Sequence, residues 1–183
     1  MLKGKNVVVG VTGGSPAYKA ADIVSKLVAL HANVDVIMTN SATKFITPLT
    51  FRNASGNPVV DDQFANPVVW NKEHKKLSDK ADLLLIAPAT ANIIGKAANG
   101  IADDMLSTTI LSTEAITVFA PHMNPKMYQK AVVQRNLKTL RDDGCQIIQQ
   151  EKIMPSGKTL YSLLADVDFI IQEVTRLLMA EDR

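Results

Sequence analysis

At 183 residues, with 46% hydrophobic and 21% charged side chains, the chain has the composition of one soluble globular domain with a substantial core. A net charge of +2 is too small to point to nucleic acid, and the apolar runs are too short to span a membrane. The single cysteine, Cys145, excludes an intrachain disulfide and suits a reducing, cytoplasmic setting.

The first stretch, MLKGKNVVVGVTGG, passes directly into a strand and a glycine turn, so no secretory leader is expected. Asn6 to Thr12 is β-branched and reads as a strand ended by Gly13-Gly14. Ser15 is expected as the N-cap of a helix with Pro16 at its first position, and Ala20, Ile23, Val24, Leu27 and Leu30 carry helical spacing through His31. Val34 to Met38 is a second buried strand, completing a βαβ unit.

The glycine pattern Gly10-Val-Thr-Gly13-Gly14 departs from G-x-G-x-x-G, and the second strand ends in Thr39-Asn40-Ser41 rather than in an acidic residue. Hydroxyls and a helix start suit a phosphate monoester better than a ribose diol, which favours a mononucleotide such as FMN over NAD. Ordinary turn chemistry is the alternative for each of these residues taken singly.

Ile46 to Val60 contains a short helical piece between prolines, and Asp61 to Asn71 reads as loop. Glu73 to Lys80 is a short helix with His74, Leu77 and Ala81 on one face; a lone inward histidine is more often structural than catalytic. Leu83 to Ala87 is a strand buried on both faces, which Pro88 is expected to stop. Thr90 and Asn92 then fall where a helix begins, placing a hydroxyl and an amide at the C-terminal edge of a parallel strand, where open α/β sheets bind ligands.

Ala115 to Ala120 is another buried strand, followed by Pro121-His122-Met123-Asn124-Pro125-Lys126-Met127-Tyr128; Asn124 between two methionines favours a ligand pocket over plain packing. Pro125 to Asp143 reads as one amphipathic helix closed by Gly144, and Cys145 to Ile148 as a last strand. Glu151 to Tyr161 reads as loop, and the stripe Leu163, Leu164, Val167, Ile170, Ile171, Val174, Leu177 and Leu178 as a docked terminal helix. With no repeat and no linker, residues 1–183 are expected to form one domain, a Rossmann-like (flavodoxin-like) three-layer α/β sandwich with a parallel sheet.

Taken together, Pro88-Ala-Thr-Ala-Asn92, Asn99-Gly-Ile-Ala-Asp-Asp104 and Pro121-His-Met-Asn-Pro-Lys-Met-Tyr128 resemble the homo-oligomeric flavin-containing cysteine decarboxylases. That family includes phosphopantothenoylcysteine decarboxylases of coenzyme A biosynthesis and the peptidyl-cysteine decarboxylases of lantibiotic maturation. The resemblance runs from the Gly13-Gly14-Ser15-Pro-Ala-Tyr-Lys turn to about Gly157. It implies FMN held by Gly13, Gly14, Ser15, Thr39, Asn40 and Ser41, with Thr90, Ala91, Asn92 and Ile93 along the flavin ring and His122 beside it. It further implies His74 as acid/base, Asn124 on the substrate carboxylate, and Met127 and Ser156 near the substrate. No metal is implied, and the assembly implied is a homotrimer or dodecamer with FMN at subunit boundaries.

The chemistry suits those residue types. A cysteine carboxylate loses CO2 only when the remaining carbanion can delocalise, and oxidation of the side chain to a thioaldehyde provides that. The cofactor supplies the redox step while the protein orients groups and manages protons. A phosphopantothenoylcysteine decarboxylase also uses a cysteine in a late Cys-Gly segment as a proton donor; here Met154-Pro155-Ser156-Gly157 carries serine instead. Peptidyl-cysteine decarboxylases lack that cysteine and stop at an enethiol. The sequence thus leaves two decarboxylase substrates, phosphopantothenoylcysteine first and a peptide C-terminus second. A non-catalytic FMN-binding regulatory subunit is the reading of another class, and a flavin-modifying relative is a weaker third.

Overall fold

The computed structural model describes residues 1–62, 73–157 and 159–180. The expected Asp61–Asn71 loop therefore falls, beyond Asp62, outside the described residues, as does Lys158. Six parallel strands form one sheet in the order β3-β2-β1-β4-β5-β6. They are β1 (Asn6–Val11), β2 (Asn33–Met38), β3 (Val59–Val60), β4 (Leu83–Ala89), β5 (Ile116–Pro121) and β6 (Gln146–Ile147). This is the doubly wound Rossmann order, and it reverses direction between β1 and β4.

Alternation along the strands sorts the core into two layers. Val7, Val9 and Val11 of β1 and Leu83 and Leu85 of β4 face α1 (Lys19–Ala29), α2 (Pro48–Ser55) and the terminal α8 (Val167–Ala180). Val8, Leu84 and Ile86 face the other way, toward α3 (Glu73–Lys80), α4 (Ala91–Ala98), α5 (Met105–Ser112) and α7 (Ala131–Asp142). The central strands are buried on both faces, as their continuous apolar runs require. Ile170, Val174 and Leu178 dock α8 as the stripe predicted. Among the described residues no helix is long and apolar enough to cross a membrane.

Several local expectations are corrected. Pro88 does not stop β4: the ladder skips past a register shift and resumes at Ala89, opposite Pro121. Helix α1 ends at Ala29 rather than His31, because His31 adopts φ 67° and the His31 and Ala32 amides turn back onto the Val28 and Leu27 carbonyls. Ser15 is not an N-cap; Gly14 holds that position, and Ser15–Tyr18 form a 3-10 turn leading into α1. The helix expected over Pro125–Asp143 is two helices, a single turn α6 (Pro125–Tyr128) and α7, separated where Lys130 takes ψ 134°. The stretch read as loop over Glu151–Tyr161 contains a small antiparallel hairpin, β7 (Lys152–Ile153) with β8 (Thr159–Leu160). Edge strand β3 and helix α5 were not foreseen as separate elements.

Gly10 in β1 permits the seating of α5. A Cβ there would overlap Leu106 Cδ1 and lie 3.1 Å from its Cδ2, and Leu106 is itself buried. We therefore expect Gly10→Ala to cost about 1–3 kcal/mol by overpacking. Combining it with Leu106→Ala should cost less than the sum of the two single changes, as urea denaturation of the four proteins would read. Strict additivity would contradict this close packing.

Candidate active site

The turns at the C-terminal edge of the sheet meet at the point where strand order reverses. Thr12, next after β1, is buried, and its hydroxyl donates to the Pro88 carbonyl at 2.6 Å while accepting from the Thr90 amide at 3.2 Å. One side chain thus ties the loop after β1 to the loop after β4. On the other side, a Cβ on Gly13 would lie 2.8 Å from the carbonyl carbon of Ser41 and 2.9 Å from its oxygen. Only glycine lets the β1 and β2 turns touch backbone to backbone. The β2 turn is fixed in its own right, since the Thr39 amide donates to the Val11 carbonyl and Thr39 Oγ1 accepts from the Ala42 amide.

These turns enclose a cavity of about 570 Å³, a size typical of cofactor sites. Its lining includes Gly13, Gly14, Ser15, Thr39, Asn40, Ser41, Thr90, Ala91, Asn92, Ile93, His122, Asn124 and Met127, every candidate named from sequence except two. His74 lies half-buried near the start of α3 and does not line it. Ser156 is exposed at the tip of the β7–β8 hairpin, also away from it. Thr12, Lys96, Asp104 and Met123 line the cavity as well and were missed. Asp104 could have been read from its spacing to Ser107 ahead of an apolar run, a reciprocal cap; nothing in the sequence marks Lys96 as its partner.

Asn124 caps the single turn of α6, its Oδ1 accepting from the Lys126 amide at 2.8 Å. That bond fixes the orientation of the side-chain amide, because the backbone N–H demands the oxygen, and so leaves the NH2 end as donor for an anion. His122 is fixed similarly. Its Nδ1 accepts from the Leu164 amide at 3.2 Å, so the neutral ring carries its proton on Nε2, which lies 3.4 Å from Ser15 Oγ. Burial, aided by the positive charge of Lys19, pushes the His122 pKa below its ordinary value and favours this neutral ring.

Lys96 is the cation of the cavity wall, and it is committed. Its Nζ sits 2.6 Å from Asp103 Oδ1 and 2.9 Å from Asp104 Oδ2. Burial opposes the charged ammonium, yet the two carboxylates together raise the Lys96 pKa. Burial likewise opposes the Asp104 carboxylate, and the Ser107 amide, Lys96 and the Ser107 hydroxyl outweigh it, holding the carboxyl below its usual range. Cys145 is half-buried at the start of β6 and off the cavity, with burial and Asp143 pushing its thiol up. It has the character of an inert, structural thiol. Among the described residues no group of three or more His, Cys, Asp or Glu gathers as metal ligands.

Comparison with known proteins adds the following. The pattern of the Flavoprotein family matches residues 1–179. The coenzyme A biosynthesis bifunctional protein CoaBC of Bacillus subtilis is 49% identical over 160 residues, covering 86% of this chain and 39% of that protein. The probable phosphopantothenoylcysteine decarboxylase of Streptococcus mutans is 39% identical over 175 residues, covering 93% of this chain and 97% of that one. The chain thus spans about two-fifths of the CoaBC protein and nearly all of the single decarboxylase. Among solved structures, the FMN-dependent cysteine decarboxylase SpaF superposes with a TM-score of 0.86 at 31% identity, covering 100% of both chains. A cysteine-to-serine variant of PPC decarboxylase, complexed with pantothenoylaminoethenethiol, superposes at 0.80 with 26% identity over 96% of this chain and 98% of that one.

The Asp104 cap and its ion pair can be separated by substitution. Asp104→Ala removes both and should destabilise the protein by about 0.5–2 kcal/mol. Asp104→Asn keeps a capping oxygen and loses only the charge, so it should cost less. Because the native carboxyl titrates below its unfolded value, its contribution is present above about pH 4 and is lost as pH falls further. Asp104→Asn should therefore flatten the acid limb of the stability profile below about pH 4. Parallel acid limbs for the two proteins would refute the assignment.

Proposed function

The chain belongs to the Flavoprotein family, and from that premise we propose that it is an FMN-dependent decarboxylase of a cysteine carboxylate, with phosphopantothenoylcysteine, in coenzyme A biosynthesis, as its foremost substrate. The observation that carries this reading is the cavity at the β1/β4 switch point, where Gly13 and Ser41 meet through their backbones beside an apolar wall. The fit to FMN rests on its two ends. The hydroxyls of Ser15, Thr39 and Ser41 suit a phosphate monoester, while Ala91, Ile93, Met123 and Met127 offer an apolar wall to a fused aromatic ring. The Asp104 carboxylate is engaged by Lys96 and Ser107, and β2 ends without an acid to hold a ribose diol.

When bound, FMN supplies the two-electron oxidation that a cysteine side chain needs before its carboxylate can leave. The rest falls to the protein. Asn124 presents its NH2 group to the substrate carboxylate, a neutral donor that holds the group without the charge pairing that would oppose its departure as CO2. Met123, buried, gives the cavity an apolar surface on the same side, and Met127 lines its mouth. His74 serves as acid/base, since an imidazole can both take and give a proton. His74 lies outside the cavity of its own chain, so this role belongs with a cytoplasmic homo-oligomer, a trimer or dodecamer, in which a second copy brings it to the site. Residues 1–183 act as one flavoprotein domain in this scheme.

A second reading, a peptidyl-cysteine decarboxylase releasing an enethiol, is favoured by Ser156 in the hairpin, where a cysteine would otherwise be expected. Loss of turnover with retention of FMN, as in a regulatory subunit, is the reading of another class.

The purified protein should show oxidised-flavin absorption, and anaerobic phosphopantothenoylcysteine should bleach it. Recovery without air, with a saturated amine thiol as product, supports the first reading. Bleaching that persists until air enters, with a product two hydrogens lighter, supports the enethiol, and no CO2 from either substrate type leaves the regulatory reading. His74→Asn and Asn124→Ala should each lower turnover by about 10²-fold or more. Mixed oligomers of the two variants should regain activity, since one intact site can be assembled from two copies. Absence of recovery, with mixing proven, would place both groups in one subunit's site.

A further inference from the structure

His122 stands apart from the other cavity residues because both of its ring nitrogens are engaged with different parts of the fold. On one side, Leu164 belongs to the strap between β8 and α8, and its amide donates to Nδ1 at 3.2 Å. The neighbouring Met123 amide donates to the Ser162 carbonyl at 2.9 Å, so residues 122–123 form the seat for that strap. On the other side, Nε2 faces Ser15 Oγ at 3.4 Å, in the turn that borders Gly13 and Gly14.

The polarity of this chain of bonds is determined. A backbone N–H can only donate, so Nδ1 must be bare and Nε2 must carry the proton. The Nε2–H then donates to Ser15 Oγ, and the serine hydroxyl is left with its own hydrogen to give. The Ser15 hydroxyl lines the cavity and can give that hydrogen to an anion bound there. Aligned donors of this kind polarise one another, so an anion at the far end strengthens the bond at the near end. Burial and the Lys19 charge keep the ring neutral, as the relay needs.

The strap is packed through Leu164 and Ala165, both buried in the core, but it carries one unmet polar group. The hydroxyl of Ser162 is buried and without a hydrogen-bond partner, a cost to docking that the contacts at 122–123 offset. Lys152–Asp166 and the bond from the Asp166 amide to Gln150 Oε1 hold its C-terminal end near the hairpin, but the Asp166 carboxylate is largely exposed.

We propose that His122 is a positioning residue that links the docking of the 162–164 strap to the binding of a phosphate monoester at the Ser15 turn. This rests on the cavity being the FMN site and deepens that reading, since it makes cofactor phosphate and strap order reciprocal: whatever factor phosphate adds to strap protection, strap docking adds to phosphate affinity.

Two substitutions divide the relay. In His122→Asn the amide oxygen takes the place of Nδ1, keeping the Leu164 bond and losing reach to Ser15. In His122→Gln the side-chain NH2 takes the place of Nε2–H, keeping the Ser15 bond and losing the acceptor for Leu164. Hydrogen exchange of peptides covering 159–166, with and without FMN, riboflavin or inorganic phosphate, reads the strap, and flavin fluorescence reads affinity.

In the wild type, FMN should slow exchange of the strap by about fivefold or more, a coupling of ordinary allosteric size, and riboflavin, lacking phosphate, should not. His122→Gln should leave the strap fast-exchanging with or without FMN. His122→Asn should protect it without FMN, show no further response, and bind FMN about fivefold or more weakly with riboflavin affinity unchanged. If FMN binds and the strap ignores it, or if both variants respond as wild type does, the linkage is wrong while the cofactor reading stands. If neither FMN nor phosphate binds but Gln and Asn still differ in strap exchange, the cofactor reading falls and only the Leu164 tether survives. That outcome overturns the linkage as stated.

Discussion

The width of the crevice between β1 and β4 depends on one buried hydroxyl. Strand order reverses there, so the connections after β1 and β4 leave the sheet on opposite faces and nothing in the ladder holds their loops together. Thr12 does. Its Oγ1 satisfies the carbonyl of Pro88 and the amide of Thr90, two backbone groups at the end of β4 and the start of α4. Buried and left without a partner, the Pro88 carbonyl would cost about 1–3 kcal/mol. The second clasp, the Gly13–Ser41 contact, works by exclusion instead, bringing two turns to a distance no side chain permits. The cavity is the space these two clasps leave.

Given the crevice, its electrostatics are close to neutral by construction. Lys96 has two carboxylates within 3 Å, and the donors that remain for a ligand, among them Asn40, Asn92, Asn124, the hydroxyls of Ser15, Thr39, Ser41 and Thr90, and His122 held neutral, carry no net charge. A phosphate can be held by hydroxyls and backbone alone at a glycine turn. A carboxylate that must depart as neutral CO2 is better served by an amide than by a free lysine, because a strong ion pair stabilises the ground state more than the transition state. The site thus pairs polar recognition with little net charge, and the buried charges it does contain serve to seat α5 through the Asp104 cap.

The sheet and the loops at its C-terminal edge were legible because they obey short-range rules. Continuous apolar runs marked β1, β2, β4 and β5, and hydroxyls, glycines and amides after each run marked the ligand edge. What escaped the sequence depended on partners far along the chain. Pro88 stays within β4 because β5 resumes pairing beyond it, with Pro121 opposite Ala89. The break between α6 and α7 follows from Lys130, whose side chain gives no warning of an extended backbone. The hairpin over 152–160 has two-residue strands, too short for alternation to register. Thr12, Lys96 and Met123 carry common residue types whose meaning is their neighbours. His74 and Ser156 are the converse case: motif position singled them out, and the fold of one chain leaves them outside its own cavity.

Ser156 concentrates the remaining chemical question. It sits exposed beside Gly157 at φ 76°, on a hairpin whose Ile153 is 74% exposed, so the described residues there present apolar side chains and one hydroxyl to solvent. A thiol with a pKa near 8.5 surrenders a proton to a developing carbanion far more readily than an alkyl hydroxyl. Brønsted behaviour makes that gap decisive: a donor so much weaker contributes little in the transition state even when ideally placed. Reduction of an enethiol to a saturated thiol therefore needs another acid, and the cavity's own candidates are poor. His122 is held neutral with its Nε2 proton directed at Ser15, and the Lys96 ammonium is bound by two carboxylates that raise its pKa. On the proposed reading, His74 from a second copy is the group best matched to the task, and that reading already gives it the oxidative step. On the proposed reading the residues provide for decarboxylation better than for reduction, which makes the fate of the enethiol, rather than the loss of CO2, the property by which the substrate class is decided.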